Sequence, residues 1–146
     1  MSSRDNLGLL LSLASAEGVA RATRALRPLD LSVRSYTLLE RVIDTGGMSQ
    51  RALADDLRLD PSQIVALVDG LETRGLAERR PNPADRRQKA VAATARGKQT
   101  YRRAKVLVDA SLDEVLGDLD PSERATLHEM LTRIVRRDPA AAEAAG

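Results

Sequence analysis

The residues best equipped for chemistry in this chain are arginines. Asp85, Arg86 and Arg87 stand together in a turn, Pro81-Asn82-Pro83-Ala84-Asp85-Arg86-Arg87, between two short runs of strand character. A guanidinium is planar, permanently charged and rich in donors, so it clamps phosphate oxygens and paired base acceptors. The charge continues around the turn. Residues 74–105 hold eleven Lys/Arg against two acids, Glu78 and Asp85, whereas the whole chain carries only +2. The segment is therefore +9 and the remainder −7. Charge segregated this sharply points to a polyanionic partner rather than to general solubility.

Other chemistries have little to build on. There is no Cys, which excludes disulfides, thiol catalysis and thiol-based peroxide sensing. The one His, His128, cannot supply a His-rich metal cage or a triad, and no carboxylate pair converges in the sequence. No catalytic residue, metal site or cofactor is expected, and an enzyme is the weakest reading. No apolar run is long enough to span a bilayer. The stretch around residues 7–13 has the look of a signal peptide, but Asp5 and the lack of a cleavage site argue against it. The expectation is a cytoplasmic protein with no membrane partner.

These arginines need a scaffold, and the sequence describes a mainly helical one. Its length of 146 residues is that of one domain, 1–146, and Leu, Ala and Val dominate, with two Tyr and no Phe or Trp. Helical spacing runs over 5–27 and ends at Pro28. Ser32 reads as the cap of a helix to about Thr45, with Tyr36, Leu39, Val42 and Ile43 inward. Ser49 caps a short helix over 50–57. Asp60-Pro61-Ser62-Gln63 is a capping-box start for a helix that Gly75 ends, with Ile64, Leu67, Val68 and Leu71 as its buried stripe. A β-hairpin follows, with strands at 76–80 and 89–93. Thr94 caps a long helix over about 95–117, and Asp120-Pro121-Ser122-Glu123 starts a last one to about Arg137. Residues 138–146 read as a frayed tail. Residues 106–135 hold seven acids and two Arg, so the acidic charge is helical and C-terminal.

Helix, turn, helix and hairpin in that order make a winged helix-turn-helix over 32–94. The second helix of the pair would enter a major groove, N-terminal residues first, presenting Ser62, Gln63, Val65 and Ala66. The hairpin would reach an adjacent minor groove or its phosphates. Arg79, Arg80 and Lys89 lie on its strands as phosphate contacts. Ser35 and Arg51, near helix starts, are further phosphate candidates, and each is equally well placed as plain surface.

The chain resembles the multiple antibiotic resistance regulator (MarR) family. The resemblance rests on Asp60-Pro61-Ser62, Leu71-Glu72-Thr73-Arg74-Gly75-Leu76, Asp85-Arg86-Arg87-Gln88-Lys89 and Thr94-Ala95-Arg96-Gly97, and covers about residues 5–137. It implies a homodimeric DNA-binding protein, usually a repressor, whose terminal helices (5–27 and 95–137 here) form the dimer. It also implies release from DNA by a small-molecule effector. By the same resemblance Arg87 corresponds to the wing arginine that enters the minor groove and Asp85 to the aspartate that holds it. The chain departs from the family pattern at Ala66 and Gly70, where Arg or Lys is common, and at Ala93, where Leu is common. Base readout would then be sparse, and affinity would lean on the wing and on phosphates.

Several residues have two readings. Gln63 can pair with adenine or complete the helix cap. Ser62, second in its helix, suits a phosphate better than a base. Tyr36 is most simply a core residue, with the wall of an effector pocket as the alternative. With only Tyr36 and Tyr101 as aromatics, a pocket for flat phenolic ligands has little to stack with. Leu107, Leu112, Val115, Leu116, Leu127, Leu131, Ile134 and Val135 are dimer candidates. The expected function is a sequence-specific regulator binding duplex DNA. The rivals are an architectural DNA-binding dimer with little sequence preference and a dimer that has lost DNA binding.

Overall fold

The computed structural model describes residues 3–82 and 84–136, with side chains from Asn6 onward. The expected tail at 138–146 lies outside the described residues. Among the described residues, six α-helices and three short strands follow one another: α1 (Ser3–Leu26), a single 3-10 turn (Arg27–Leu29), α2 (Val33–Thr45), β1 (Met48–Ser49), α3 (Gln50–Leu57), α4 (Pro61–Thr73), β2 (Ala77–Pro81), β3 (Lys89–Ala93), α5 (Ala95–Val115) and α6 (Pro121–Val135). The fold is a mainly helical winged helix-turn-helix, as the sequence led us to expect.

The helix starts follow from local chemistry. The Ser32 and Ser49 hydroxyls accept from the Ser35 and Ala52 backbone N–H groups at 3.1 and 3.0 Å. These are donors a helix cannot satisfy within itself. Asp120 and Glu123 close a full capping box at the start of α6. Helix α4 ends in the left-handed turn that Gly75 permits, with φ +70°. Gly75 N–H donates to the Glu72 carbonyl and Leu76 N–H to the Leu71 carbonyl, each at 2.9 Å, with Leu71 and Leu76 both buried.

One strand was not foreseen. Met48 and Ser49 pair antiparallel with Val91 and Ala90, so the sheet has the order β1-β3-β2. Two residues are too short to show an alternation, so β1 leaves no sequence signal. The hairpin pairs from Ala77↔Ala93 to Pro81↔Lys89.

The contacts divide the chain into two compact units, one ending at Leu112 and the other beginning at Asp113. In the first, Leu26, Leu38, Leu39, Leu53, Ile64 and Val91 are fully buried. The junction between wing and α5 is locked there. Thr94 donates its hydroxyl to the Gly75 carbonyl (2.6 Å) and accepts from Gly97 N–H (3.0 Å). Gly97 lies so near the Leu76 backbone that an added Cβ would sit 1.8 Å from its carbonyl oxygen. In the second unit, Arg124 reaches back from α6. It donates to the Leu116 and Leu119 carbonyls and pairs with Asp113 at 2.7 Å, a cation at the end of α5 where orphan carbonyls gather. Helix α6 buries none of its residues within the chain.

Candidate nucleic-acid interface

The exposed face of α4 carries Ser62, Val65, Ala66, Asp69, Gly70 and Thr73, and its opposite face buries Ile64, Val68 and Leu71 in the core. Gln63 is half-buried, and its side-chain oxygen accepts from the Asp60 backbone N–H at 3.0 Å. That bond is the capping alternative. Bidentate pairing with adenine needs the same oxygen, so it would require opening the cap.

The wing tip is ordered by Asp85 in a way the sequence did not show. Its Oδ1 accepts from the Arg87 backbone N–H at 3.0 Å, so the carboxylate fixes the turn rather than pairing with a guanidinium. Asn82 does the same for Ala84 N–H, also at 3.0 Å. Three backbone bonds close the loop below them, Asn82 N–H to the Gln88 carbonyl, Asp85 N–H to the Asn82 carbonyl and Gln88 N–H to the Asp85 carbonyl. The guanidinium groups of Arg86 and Arg87 are exposed and have no ion-pair partner among the described residues.

Arg79 corrects the expectation of a phosphate contact. It turns inward, and its side chain is only 17 % exposed. Its Nη2 lies 2.7 Å from Asp69, Nη1 donates to Glu72 at 3.2 Å and Nε donates to Gln50 at 2.9 Å. One residue thus ties the wing to both helices of the pair. Arg79 is opposite Val91 in the register, on the pleat face it shares with buried Ala77 and Ala93. The alternation starting from Ala77 was the signal that could have revealed this.

The rest of the basic block divides by its partners. Arg74 donates to the Asp30 and Leu29 carbonyls at 2.5 and 2.8 Å and so anchors the link after α1. Arg80 pairs with Glu78, and Lys105 with Asp109 at 2.9 Å. Arg86, Arg87, Lys89, Arg96, Lys98, Arg102 and Arg103 are exposed and without an ion-pair partner among the described residues. Arg51 is also exposed at the start of α3. Ser35 is half-exposed and accepts from the Ser32 hydroxyl at 3.0 Å. It opens on a hollow it shares with Gly70 and Arg74 at the far end of α4.

A second cavity, of about 310 Å³, lies among α1, α2 and α5. Val19, Ala22, Tyr36, Val108 and Ser111 are among its walls. Tyr36 also stacks on Tyr101, ring centroids 5.4 Å apart, and Tyr101 donates its hydroxyl to Glu40 at 2.9 Å. Burial raises both phenol pKa values, and for Tyr101 the bond to Glu40 raises it further. Among the described residues no group of acids and His is placed to hold a metal ion. No helix among them is long and apolar enough to cross a membrane.

Two helices joined by a three-residue turn, with a cationic hairpin beside the second, define a winged helix-turn-helix of the kind found in transcriptional regulators. Residues 29–88, from the link before α2 to the wing tip, match the MarR family model. A MarR-family transcriptional regulator from Rhodococcus sp. RHA1 is 34 % identical and superposes with a TM-score of 0.87 over 94 % of this chain and 99 % of its own. This chain belongs to the MarR family. CouR from Rhodococcus jostii RHA1, solved with p-coumaroyl-CoA bound, is 36 % identical, with a TM-score of 0.85 over 94 % of this chain and 97 % of its own. A mutant of Escherichia coli MarR, solved in complex with operator DNA, is 26 % identical, with a TM-score of 0.78 over 88 % of this chain and 92 % of its own. A regulatory protein for the hcr operon of Thauera aromatica, itself described as putative, is 35 % identical over 70 % of this chain, and the match spans 62 % of that protein's length.

Proposed function

We propose that this MarR-family regulator acts as a homodimer on duplex DNA, as a repressor at a pseudo-palindromic operator. The observation that carries the reading is the division of charge. Arg79 is committed internally to Asp69 and Glu72 of α4, while Arg86, Arg87 and Lys89 stay uncommitted on the adjacent wing. The solved operator complex of E. coli MarR supports a duplex as the partner. Ser62, Val65 and Ala66 would face the major groove, and the wing would reach the minor groove. Asp85 would set the approach of Arg87. Arg51, Ser35, Arg80 and Lys89 would supply phosphate contacts.

The dimer is supported by apolar surface that the chain leaves uncovered. On α1, Leu7, Leu9, Leu10, Leu11 and Leu13 are at least half exposed, and on α6 so are Met130, Ile134 and Val135. Large apolar side chains left in solvent along a helix are what a second copy would bury, on each helix taken by itself. Two copies of α4 would then meet successive major grooves, with half-sites about 10 bp apart. The cavity beside Tyr36 is our candidate effector site. Its size and mainly apolar walls suit a small molecule, and the ligand-bound structure of CouR supports release by an effector.

Hydroxyl-radical footprinting across the region upstream of its own gene tests the reading. Two protected patches about one helical turn apart, with two chains per duplex, are expected. A single patch bound by a monomer would refute it. The bare recognition face of α4 favours one second reading, an architectural dimer, which would protect DNA without discrete boundaries.

A further inference from the structure

We propose that α4 reads thymine through its C5-methyl groups, with Val65 and Ala66 as the reading surface, so that the operator half-sites carry thymines at the centre of each α4 contact. The inference rests on the duplex-binding reading above and adds the base that is recognised. Val65 stands out because it is a large apolar residue left 39 % exposed in mid-helix. The core does not need it, since Ile64, Val68 and Leu71 fill the buried stripe. Ala66 is exposed beside it, and Ser62 and Thr73 complete a face of small side chains.

The side chains that would discriminate another base by paired hydrogen bonds are absent from this face or already engaged. Guanine is read by Arg or Lys, and the exposed face of α4 has neither. Adenine is read by Asn or Gln, and the Gln63 oxygen is held by the helix cap. An acid can accept from cytosine, but Asp69 and Glu72 are both paired with Arg79. The Ser62 and Thr73 hydroxyls can bond to more than one base and discriminate little, so selectivity falls to apolar contact, and the thymine methyl is the one apolar group a base pair presents in the major groove. Small side chains also let the helix lie deep enough to touch it. The wing agrees independently. Arg86 and Arg87 have no ion-pair partner among the described residues, and guanidinium groups favour the narrow, strongly negative minor groove of A·T-rich DNA.

The test starts from a random duplex library enriched on the full-length protein. The winning duplex is then synthesised with deoxyuridine at each half-site thymine, which removes the methyl and keeps the base pair. Loss of one buried methyl should weaken binding about fourfold, and loss of several across both half-sites about a hundredfold. Val65→Ser should shrink the preference for thymine over uracil to what Ala66 alone sustains. Because Val65 is exposed, the variant should melt like the parent protein. An enriched duplex whose uracil copy binds equally well, or whose half-sites lack thymine, overturns this inference and leaves the regulator reading intact. Failure to bind any duplex overturns both.

Discussion

Replacing Arg79 by Met removes one guanidinium and keeps the apolar stem, so it isolates the polar contacts to Asp69, Glu72 and Gln50. The two acids are 60 % and 44 % exposed, so solvent screens both pairs, and each is worth about 0.5 kcal/mol. The bond to Gln50 adds about 1 kcal/mol. The sum is about 2 kcal/mol, which in a domain of this size lowers the melting temperature by about 6 °C. The bond from Arg79 N–H to Glu72 is made by backbone and survives the substitution. DNA binding should weaken through the misplaced wing, but the slope of log K against log salt should not change, because no phosphate contact is lost. Arg87→Met is the reverse case. It should melt like the parent while the slope falls by about 0.9 per protomer, about 1.8 for a dimer. Differential scanning calorimetry and salt-titrated fluorescence anisotropy measure the two quantities on the same samples. The reasoning is refuted if Arg79→Met keeps its melting temperature and loses the slope, because Arg79 would then be a phosphate contact.

Asp85→Ala should weaken operator binding about fivefold to tenfold by releasing the Arg87 backbone, whereas Asp85→Asn, which keeps an acceptor oxygen, should bind as the parent does. Equal loss in both variants, read by anisotropy, would mean that the carboxylate charge is what matters. Gly97→Ala forces a Cβ against the Leu76 carbonyl and should cost about 3 kcal/mol by thermal melt; an unchanged melt would contradict the close approach of α5 to the wing base. The two phenols, raised above their ordinary value of 10.0 chiefly by burial, should stay protonated in the folded chain where free tyrosine ionises. A pKa raised on folding gives stability that is complete below pH 10 and is lost as pH climbs above it. Melts at about pH 9 and about pH 11 should therefore differ, and phenolate absorbance should rise only with unfolding. Phenolate appearing near pH 10 in the folded protein would contradict the burial of the Tyr36–Tyr101 pair.

Most of the helical scaffold was legible because its starts and stops are written in local chemistry. Ser32, Ser49, Asp60 and Asp120 each act within three residues, as does Gly75 at the end of α4. Contacts over long sequence distances were not legible. Tyr101 meets Glu40 across 61 positions, and Arg79 meets Gln50 across 29. No local pattern announces either pair. Arg79 and Arg80 look alike as neighbours in a basic run, and only the pleat separates them, turning one toward α4 and leaving the other exposed. For the same reason net charge located the candidate interface but overstated it. Arg74 and Arg79 belong to the eleven cations of 74–105, yet both are spent on holding the fold.

Competition binding tests the central claim most directly. The affinity of the full chain for its enriched duplex is measured against bulk genomic DNA at one fixed salt concentration, with the number of chains per duplex counted in the same titration. The account predicts two chains per duplex and a preference of at least about 10³. A preference near one, or a single chain per duplex, would contradict a dimeric regulator that recognises its operator.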